Sequence, residues 1–302
     1  MTSSPILPRA LPMAPFPALL LEPLVRAALA EDLGRRGDIT TEAVIPADAQ
    51  ATAVMRARKP GVAAGVEAAV MAFRLMDPSV TCAVHKGEGA VLAPGEDLMT
   101  LTGPARAILS AERVALNFAG HLSGIATATA ALVAAVQPHL VHITCTRKTT
   151  PGLRGLEKYA VRAGGGSSHR YGLDDAVLIK DNHIAVAGSV TEAIARARAF
   201  VGHLVKVEVE VDTLAQLAEA LEAGPDVVLL DNMAPDLLRE AVALTRAQTR
   251  ERAKAPVTLE ASGGVTLETA PAIAATGVDV ISVGWLTHSA PSLDLGLDID
   301  VL

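Results

Sequence analysis

Apolar residues recur at helical spacing over residues 24–33, and the following segment 34–41, GRRGDITT, has the composition of a loop. Short apolar runs at 51–57 and 80–84 flank a helix-like 66–76, and HKGEGAVLAPGEDLMTLTG reads as tight turns between short strands. This mixture predicts a small α+β domain. Over about 108–136 the pattern is helical again, with Gly120 and Gly124 expected to interrupt it. Beyond that the pattern changes. Strand-like segments at 140–144, 176–179, 205–211, 227–230, 257–259 and 280–283 are mostly separated by stretches long enough for a crossover helix. That order predicts parallel strands wrapped by helices, as an open sheet or a barrel. No GxGxxG follows the first of these strands and no GxxxxGK[ST] occurs anywhere, so the barrel is favoured over a dinucleotide-binding sheet or a P-loop.

The segment VKVEVEV alternates strictly, and in a barrel strand it would turn Val205, Val207, Val209 and Val211 to the helices and Lys206, Glu208 and Glu210 inward. Ligands of parallel α/β folds bind beyond the carboxyl ends of the strands. There this chain places Arg147 and Lys148, Lys180, Asp231, Ser262-Gly263-Gly264 and Gly284. A triglycine, Gly164 to Gly166, precedes His169 and Arg170 and is expected to offer backbone amides to an anion. Glu210 and Asp231 carry oxygens suited to Mg²⁺ shared with substrate phosphates, and the later glycines suit a phosphate.

Composition narrows the partners. The 302 residues carry a net charge of −7 and only 2% aromatic residues, which argues against nucleic-acid binding and makes a cationic rim the exception on this surface. A multiply negative small substrate fits that rim. The two cysteines, Cys82 and Cys145, match no zinc spacing and are too few for a disulfide scaffold, so a cytoplasmic location is expected. Pro5, Pro8, Pro12, Pro15, Pro17 and Pro23 break the apolar opening, which reads as an extension over 1–23 without a targeting role. No membrane span is expected.

Through the blocks EDLGRRGDITT, AERVALNFAGHLSGIAT, TRKTTPGLRGLEKYAVRAGGGSSHRYGLDDAVLIKDNH, VEVEVDTLAQL, VVLLDNM, LEASGGV and TGVDVISVG, the chain resembles the quinolinate phosphoribosyltransferase family. The resemblance implies an α/β protein: an α+β open-faced sandwich over 24–118, joined by 286–302, and an incomplete (β/α) barrel over 119–285 carrying the active site. It implies a homodimer with shared sites, in which Arg113 reaches across to quinolinate, while Arg147, His169, Arg170 and Lys180 line the same pocket. Lys148 would meet the diphosphate of phosphoribosyl pyrophosphate, Glu210 and Asp231 the ribose hydroxyls and Mg²⁺, and Ser262, Gly263 and Gly284 the 5′-phosphate. Of these, Lys148, Lys180, Glu210 and Asp231 would carry the catalysis. The implied reaction is phosphoribosyl transfer with loss of CO₂, giving nicotinate mononucleotide. Trp285 stands where the family pattern has a small residue and is expected to turn outward into packing, and Ser167 and Ser168 vary the loop before His169. Two rivals are a molybdenum-uptake-associated relative of the same fold and a noncatalytic phosphosugar-binding barrel. The TRKT, HR and KDNH blocks argue against the first, and the pairing of a dicarboxylate pocket with two acids argues against the second.

Overall fold

The computed structural model describes residues 13–252 and 256–301, so Pro5, Pro8 and Pro12 of the expected extension lie outside the described residues. In chain order the elements are α1 (Ala18–Leu33), α2 (Ile39–Val44), β1 (Gln50–Ala57), β2 (Gly61–Val62), α3 (Val66–Met76), β3 (Thr81–Val84), β4 (Val91–Leu92), β5 (Asp97–Pro104) and α4 (Ala105–Ala135). Then follow β6 (His142–Thr144), α5 (Arg154–Ala163), β7 (Val177–Ile179), α6 (Asp181–Ala187), α7 (Val190–Phe200), β8 (Val207–Val211), α8 (Leu214–Ala223) and β9 (Val227–Asp231). The chain ends with α9 (Pro235–Arg252), β10 (Thr258–Ser262), α10 (Ala270–Ala274), β11 (Val280–Ser282), a 3₁₀ turn (Trp285–Thr287) and β12 (Leu295–Val301). They form two units, Met1–Ala126 with Ser292–Leu302, and Thr127–Pro291.

The first unit is built on an antiparallel sheet in the order β12-β1-β5-β3. On β1, Ala51, Ala53, Met55 and Ala57 are buried while the alternate positions are not, so one face of the strand is covered, as in an open-faced sandwich. The first helix starts at Ala18, inside the stretch expected to be extension. Its buried stripe is Leu21, Val25 and Leu29, and Pro23 is tolerated because the carbonyl it leaves unbonded belongs to Leu19, which is exposed to water. The expected loop 34–41 also ends early: the Asp38 side chain accepts the Thr41 amide at 2.9 Å and caps α2.

Helix α4 runs unbroken through Gly120 and Gly124, against expectation. Gly120 is there for contact, since a Cβ at that position would lie 3.1 Å from the Leu293 carbonyl. By length and composition alone α4 passes for a membrane-crossing helix, but 56% of its most apolar window is buried within the protein, which is the burial of a core helix.

The second unit holds six parallel strands in the order β6-β11-β10-β9-β8-β7, with β6 and β7 at the two edges, so the barrel is incomplete. Val207, Val209 and Val211 are buried in its core beside Leu217, Val228 and Leu230. Lys206 departs from the expected inward set. Because β8 begins only at Val207, Lys206 lies before the strand, exposed, and its Nζ binds Asp226 at 3.0 Å.

Gly65 sets the start of α3 in the left-handed region, at φ 78°, where a Cβ would lie 2.9 Å from the Phe118 carbonyl and 2.8 Å from Leu122 Cδ1. Gly65→Ala is expected to cost about 1–3 kcal/mol, combining backbone strain with overpacking. Urea denaturation of the purified variant measures this, and an unchanged midpoint would show that the contact relaxes freely.

Candidate active site

A cavity of about 820 Å³ opens at the carboxyl ends of the strands of the second unit. Arg147 and Lys148 enter it from the loop after β6, His169 and Arg170 from the loop before β7, and Lys180 from the end of β7. Glu210, Asp231 and Ser262 line it from β8, β9 and β10, and Gly263 and Gly284 from the turns after β10 and β11. Arg113 does not line it. That residue is exposed on α4, in the first unit.

Local packing explains how these groups are presented. The Thr146 hydroxyl accepts the Lys148 amide at 3.0 Å, and the Thr287 hydroxyl donates to the Lys148 carbonyl at 2.6 Å. A Cβ at Gly284 would come 2.9 Å from Lys148 Cδ, so that glycine lets the lysine stem pass over it. Gly263 has φ 98° and faces Asn232, whose amide a Cβ there would overlap. Trp285 both packs against the core and lines the cavity, where its Nε1 donates to the Val265 carbonyl at 2.8 Å. Its expected outward turn is therefore only half the picture.

The triglycine has a different use from the one expected. The amides of Gly164, Gly165 and Gly166 donate to the carbonyls of Ala160, Arg162 and Val161 and close the end of α5. None of the three lines the cavity. Gly166 also sits where a Cβ would lie 2.8 Å from Thr129 Cγ2, so its smallness serves packing.

Opposite charges are interleaved around the cavity. Lys180 Nζ lies 3.0 Å from Glu210 Oε2, with the lysine half exposed and the glutamate mostly covered. Asp231 Oδ2 accepts from the Asn232 side chain at 2.7 Å. Arg170 donates through Nη1 to the Ala176 carbonyl at 2.9 Å, while its Nε is buried without a partner among the described residues. Burial, and then the nearby Arg147 charge, pull the Arg170 pKa down, which marks a place where an anion is favoured.

His169 stands at the floor. Its Nε2 lies 3.1 Å from Glu208 Oε2 and 3.6 Å from Glu260 Oε1, and its Nδ1 accepts the Arg170 amide at 2.8 Å. Burial opposes the charged ring, and the hydrogen bond to Glu208 and the charge of Glu260 outweigh it, so the pKa is drawn upward. A second ring proton would sit on Nδ1, facing the Arg170 N–H, and that contact opposes it. Glu260 is pushed up to about 7 by burial first and by the Glu208 charge second. Sequence reasoning missed it because β10 was expected to end at Leu259. Once the strand is seen to reach Ser262, parity places Glu260 on the same face two positions earlier, as Glu208 stands to Glu210.

The family models described as the N-terminal and C-terminal domains of quinolinate phosphoribosyl transferase match residues 38–123 and 125–298. The chain belongs to the quinolinate phosphoribosyltransferase family. It is 46% identical over 281 residues to the probable nicotinate-nucleotide pyrophosphorylase [carboxylating] of Bacillus subtilis (strain 168), covering 93% of this chain and 94% of that protein. The Mycobacterium leprae (strain TN) nicotinate-nucleotide pyrophosphorylase [carboxylating] is 47% identical over 279 residues, covering 91% and 95%. A crystal structure of NadC from Streptococcus pyogenes superposes with a TM-score of 0.90 at 39% identity, covering 96% of this chain and 99% of that one. These matches extend over both the sandwich unit and the incomplete barrel of this chain.

Glu260 in this family member also links stability to pH. Its folded pKa of about 7 exceeds its ordinary 4.5, so between those values the folded chain holds a proton that the unfolded chain releases. Its stabilising contribution is complete below the lower value and is lost as pH rises through the upper one. Glu260→Gln should therefore gain stability relative to the unaltered protein between pH 5 and pH 8, as read by urea denaturation at both. A difference that does not change with pH would remove Glu260 from this role.

Proposed function

We propose that this chain transfers the phosphoribosyl group of phosphoribosyl pyrophosphate to the ring nitrogen of quinolinate, releasing pyrophosphate. Loss of the carboxyl group beside that nitrogen as CO₂ then leaves nicotinate mononucleotide, a step of de novo NAD biosynthesis. The observation that carries this reading is the convergence of Arg147, Lys148, Arg170 and Lys180 with the carboxylates Glu210 and Asp231 in one cavity of a chain of this family.

The residue types match the ligands. Arg147 and Arg170 pair with the adjacent carboxylates of the pyridine, to which planar guanidinium groups bind through two parallel hydrogen bonds, and Lys180 adds a further charge. Lys148 meets the diphosphate, and the amides and hydroxyl of Ser262, Gly263 and Gly284 hold the 5′-phosphate. Glu210 and Asp231 bind the ribose hydroxyls. Both acids face the same cavity and offer only oxygen donors, a set that suits Mg²⁺ completed by substrate phosphates. When bound, Mg²⁺ supplies positive charge to the departing pyrophosphate.

Chemistry of this kind needs placement more than a nucleophile. As the bond to pyrophosphate breaks, positive charge grows on the ribose carbon, beside Glu210 and Asp231, while Lys148 stabilises the leaving charge. The positive ring nitrogen stabilises the electron pair that departing CO₂ leaves on the adjacent ring carbon, and that carbon then takes up a proton from water. Arg113 completes the site from the partner subunit of a homodimer, which accounts for an exposed arginine outside the cavity. A reduced compartment such as the cytoplasm suits a chain whose cysteines, Cys82 and Cys145, are both free.

Purified protein incubated with quinolinate, phosphoribosyl pyrophosphate and Mg²⁺ is expected to release CO₂ and nicotinate mononucleotide in equal amounts. Binding of both substrates without either product would favour a noncatalytic phosphosugar-binding barrel. For the shared site, Arg113→Ala and Lys180→Ala are each expected to be inactive alone, and mixing them should restore part of the activity through hybrid dimers. No recovery after confirmed subunit exchange would show that each chain works by itself.

A further inference from the structure

Below the layer of Glu210 and Ser262, strands β8 and β10 each carry one more inward acid, Glu208 and Glu260, on either side of β9. They are 6% and 4% exposed, and each keeps one carboxylate oxygen without a hydrogen-bond partner among the described residues. Two buried acids facing each other are destabilising unless one is protonated or both are paired. Their common neighbour is the His169 ring, at 3.1 Å and 3.6 Å.

A histidine and two carboxylates whose ligand atoms lie within 4.8 Å of one another have the composition of a cation site. The other ring nitrogen argues against that use. An amide N–H can only donate, so Nδ1, 2.8 Å from the Arg170 amide, must be the unprotonated nitrogen of a neutral ring. The ring proton then sits on Nε2, the atom a metal would require, and points at Glu208. Glu208 accepts that N–H and so sets its orientation, while Glu260, at 3.6 Å, backs the ring without a hydrogen bond.

That orientation passes on to Arg170. The His169 carbonyl is fixed from below by the buried Lys158 at 3.0 Å, the Arg170 amide by the ring, and the Arg170 Nη1 by the Ala176 carbonyl. The buried Nε of Arg170 is left without a partner. We propose that Glu208 and Glu260 are positioning residues that hold the His169 ring and, through its Nδ1, the Arg170 peptide, so that the Arg170 side chain keeps its place in the cavity wall toward a substrate carboxylate. This rests on the reading of the cavity as a quinolinate site. It gives His169 an orienting role in place of direct contact with quinolinate through an N–H.

The test uses the full-length protein, with each substrate varied in turn. Glu208→Gln keeps an acceptor oxygen for Nε2–H, and Glu208→Leu removes it. Glu208→Leu is expected to raise the KM for quinolinate about tenfold or more and leave the KM for phosphoribosyl pyrophosphate unchanged, with Glu208→Gln recovering most of the loss. Nitrogen-15 NMR of the His169 ring, assigned against His169→Gln, should show Nε2 protonated in the unaltered protein and in Glu208→Gln, and mixed tautomers in Glu208→Leu. An unchanged KM for quinolinate, an equal rise in both KM values, a loss confined to kcat, or a ring protonated at Nδ1 in the unaltered protein would each overturn the proposal. If Glu208→Leu does not fold, Glu260→Leu is read by the same criteria, and the ring spectrum of the unaltered protein stands apart from both. Failure of the unaltered protein to make nicotinate mononucleotide would overturn the proposed function instead, while the tautomer would still decide whether the acids hold the ring.

Discussion

Like charges gathered at one rim repel, and the second unit keeps its cations there by tethering them to the protein before any ligand arrives. Lys180 is tied to Glu210, the Arg170 guanidinium to the Ala176 carbonyl, and the Lys148 peptide to Thr146 and Thr287. Each tether leaves donors over. The free edges then face a common space in a protein whose net charge is −7, so field is concentrated where the cavity opens. Such an arrangement lowers the reorganisation needed on binding, because the orientation of the donors is fixed during folding.

Strand parity distributes the opposite charges. Side chains two apart on a strand share a face, so one inward row carries Glu208 and Glu210 on β8 and another Glu260 and Ser262 on β10. The upper members line the cavity, and the lower members are sealed around His169. The β8 row was legible because its alternation with valine is strict. The β10 row was not, because TLEAS carries only one charge and gives no period from which to infer a face. Lys206 shows the converse limit: parity assigns a face, but only the point where the strand begins decides whether a side chain lies near the site.

Glycines were the least legible residues, for a physical reason. Lack of a Cβ permits a turn, a close approach or an amide open to a ligand, and the local sequence does not distinguish among them. Gly263 and Gly284 lie beside the cavity as expected, whereas Gly164 to Gly166 close a helix with the same amides that were expected to meet an anion. Gly120, expected to interrupt α4, instead lets it approach the Leu293 carbonyl. Pro23 carries a related lesson. Its effect on α1 depends on whether the abandoned carbonyl can reach water, which is a property of the folded surface.

Trp285 connects these threads. Its indole N–H binds the Val265 carbonyl, just past Gly263 and Gly264, while the same 3₁₀ turn sends Thr287 to the Lys148 carbonyl. The turns after β6, β10 and β11 are thereby braced to one another at the end of the cavity assigned to phosphates. A ring at this position adds stiffness where the proposed ligand groups, phosphate and diphosphate, demand little discrimination. On the proposed function, discrimination falls to the other end, where two adjacent carboxylates on a flat ring would meet guanidinium groups set beside His169 and the acids next to it. On that reading the barrel divides its work between a braced end for charge common to many substrates and a separately oriented end, around His169, for the one feature that is not common.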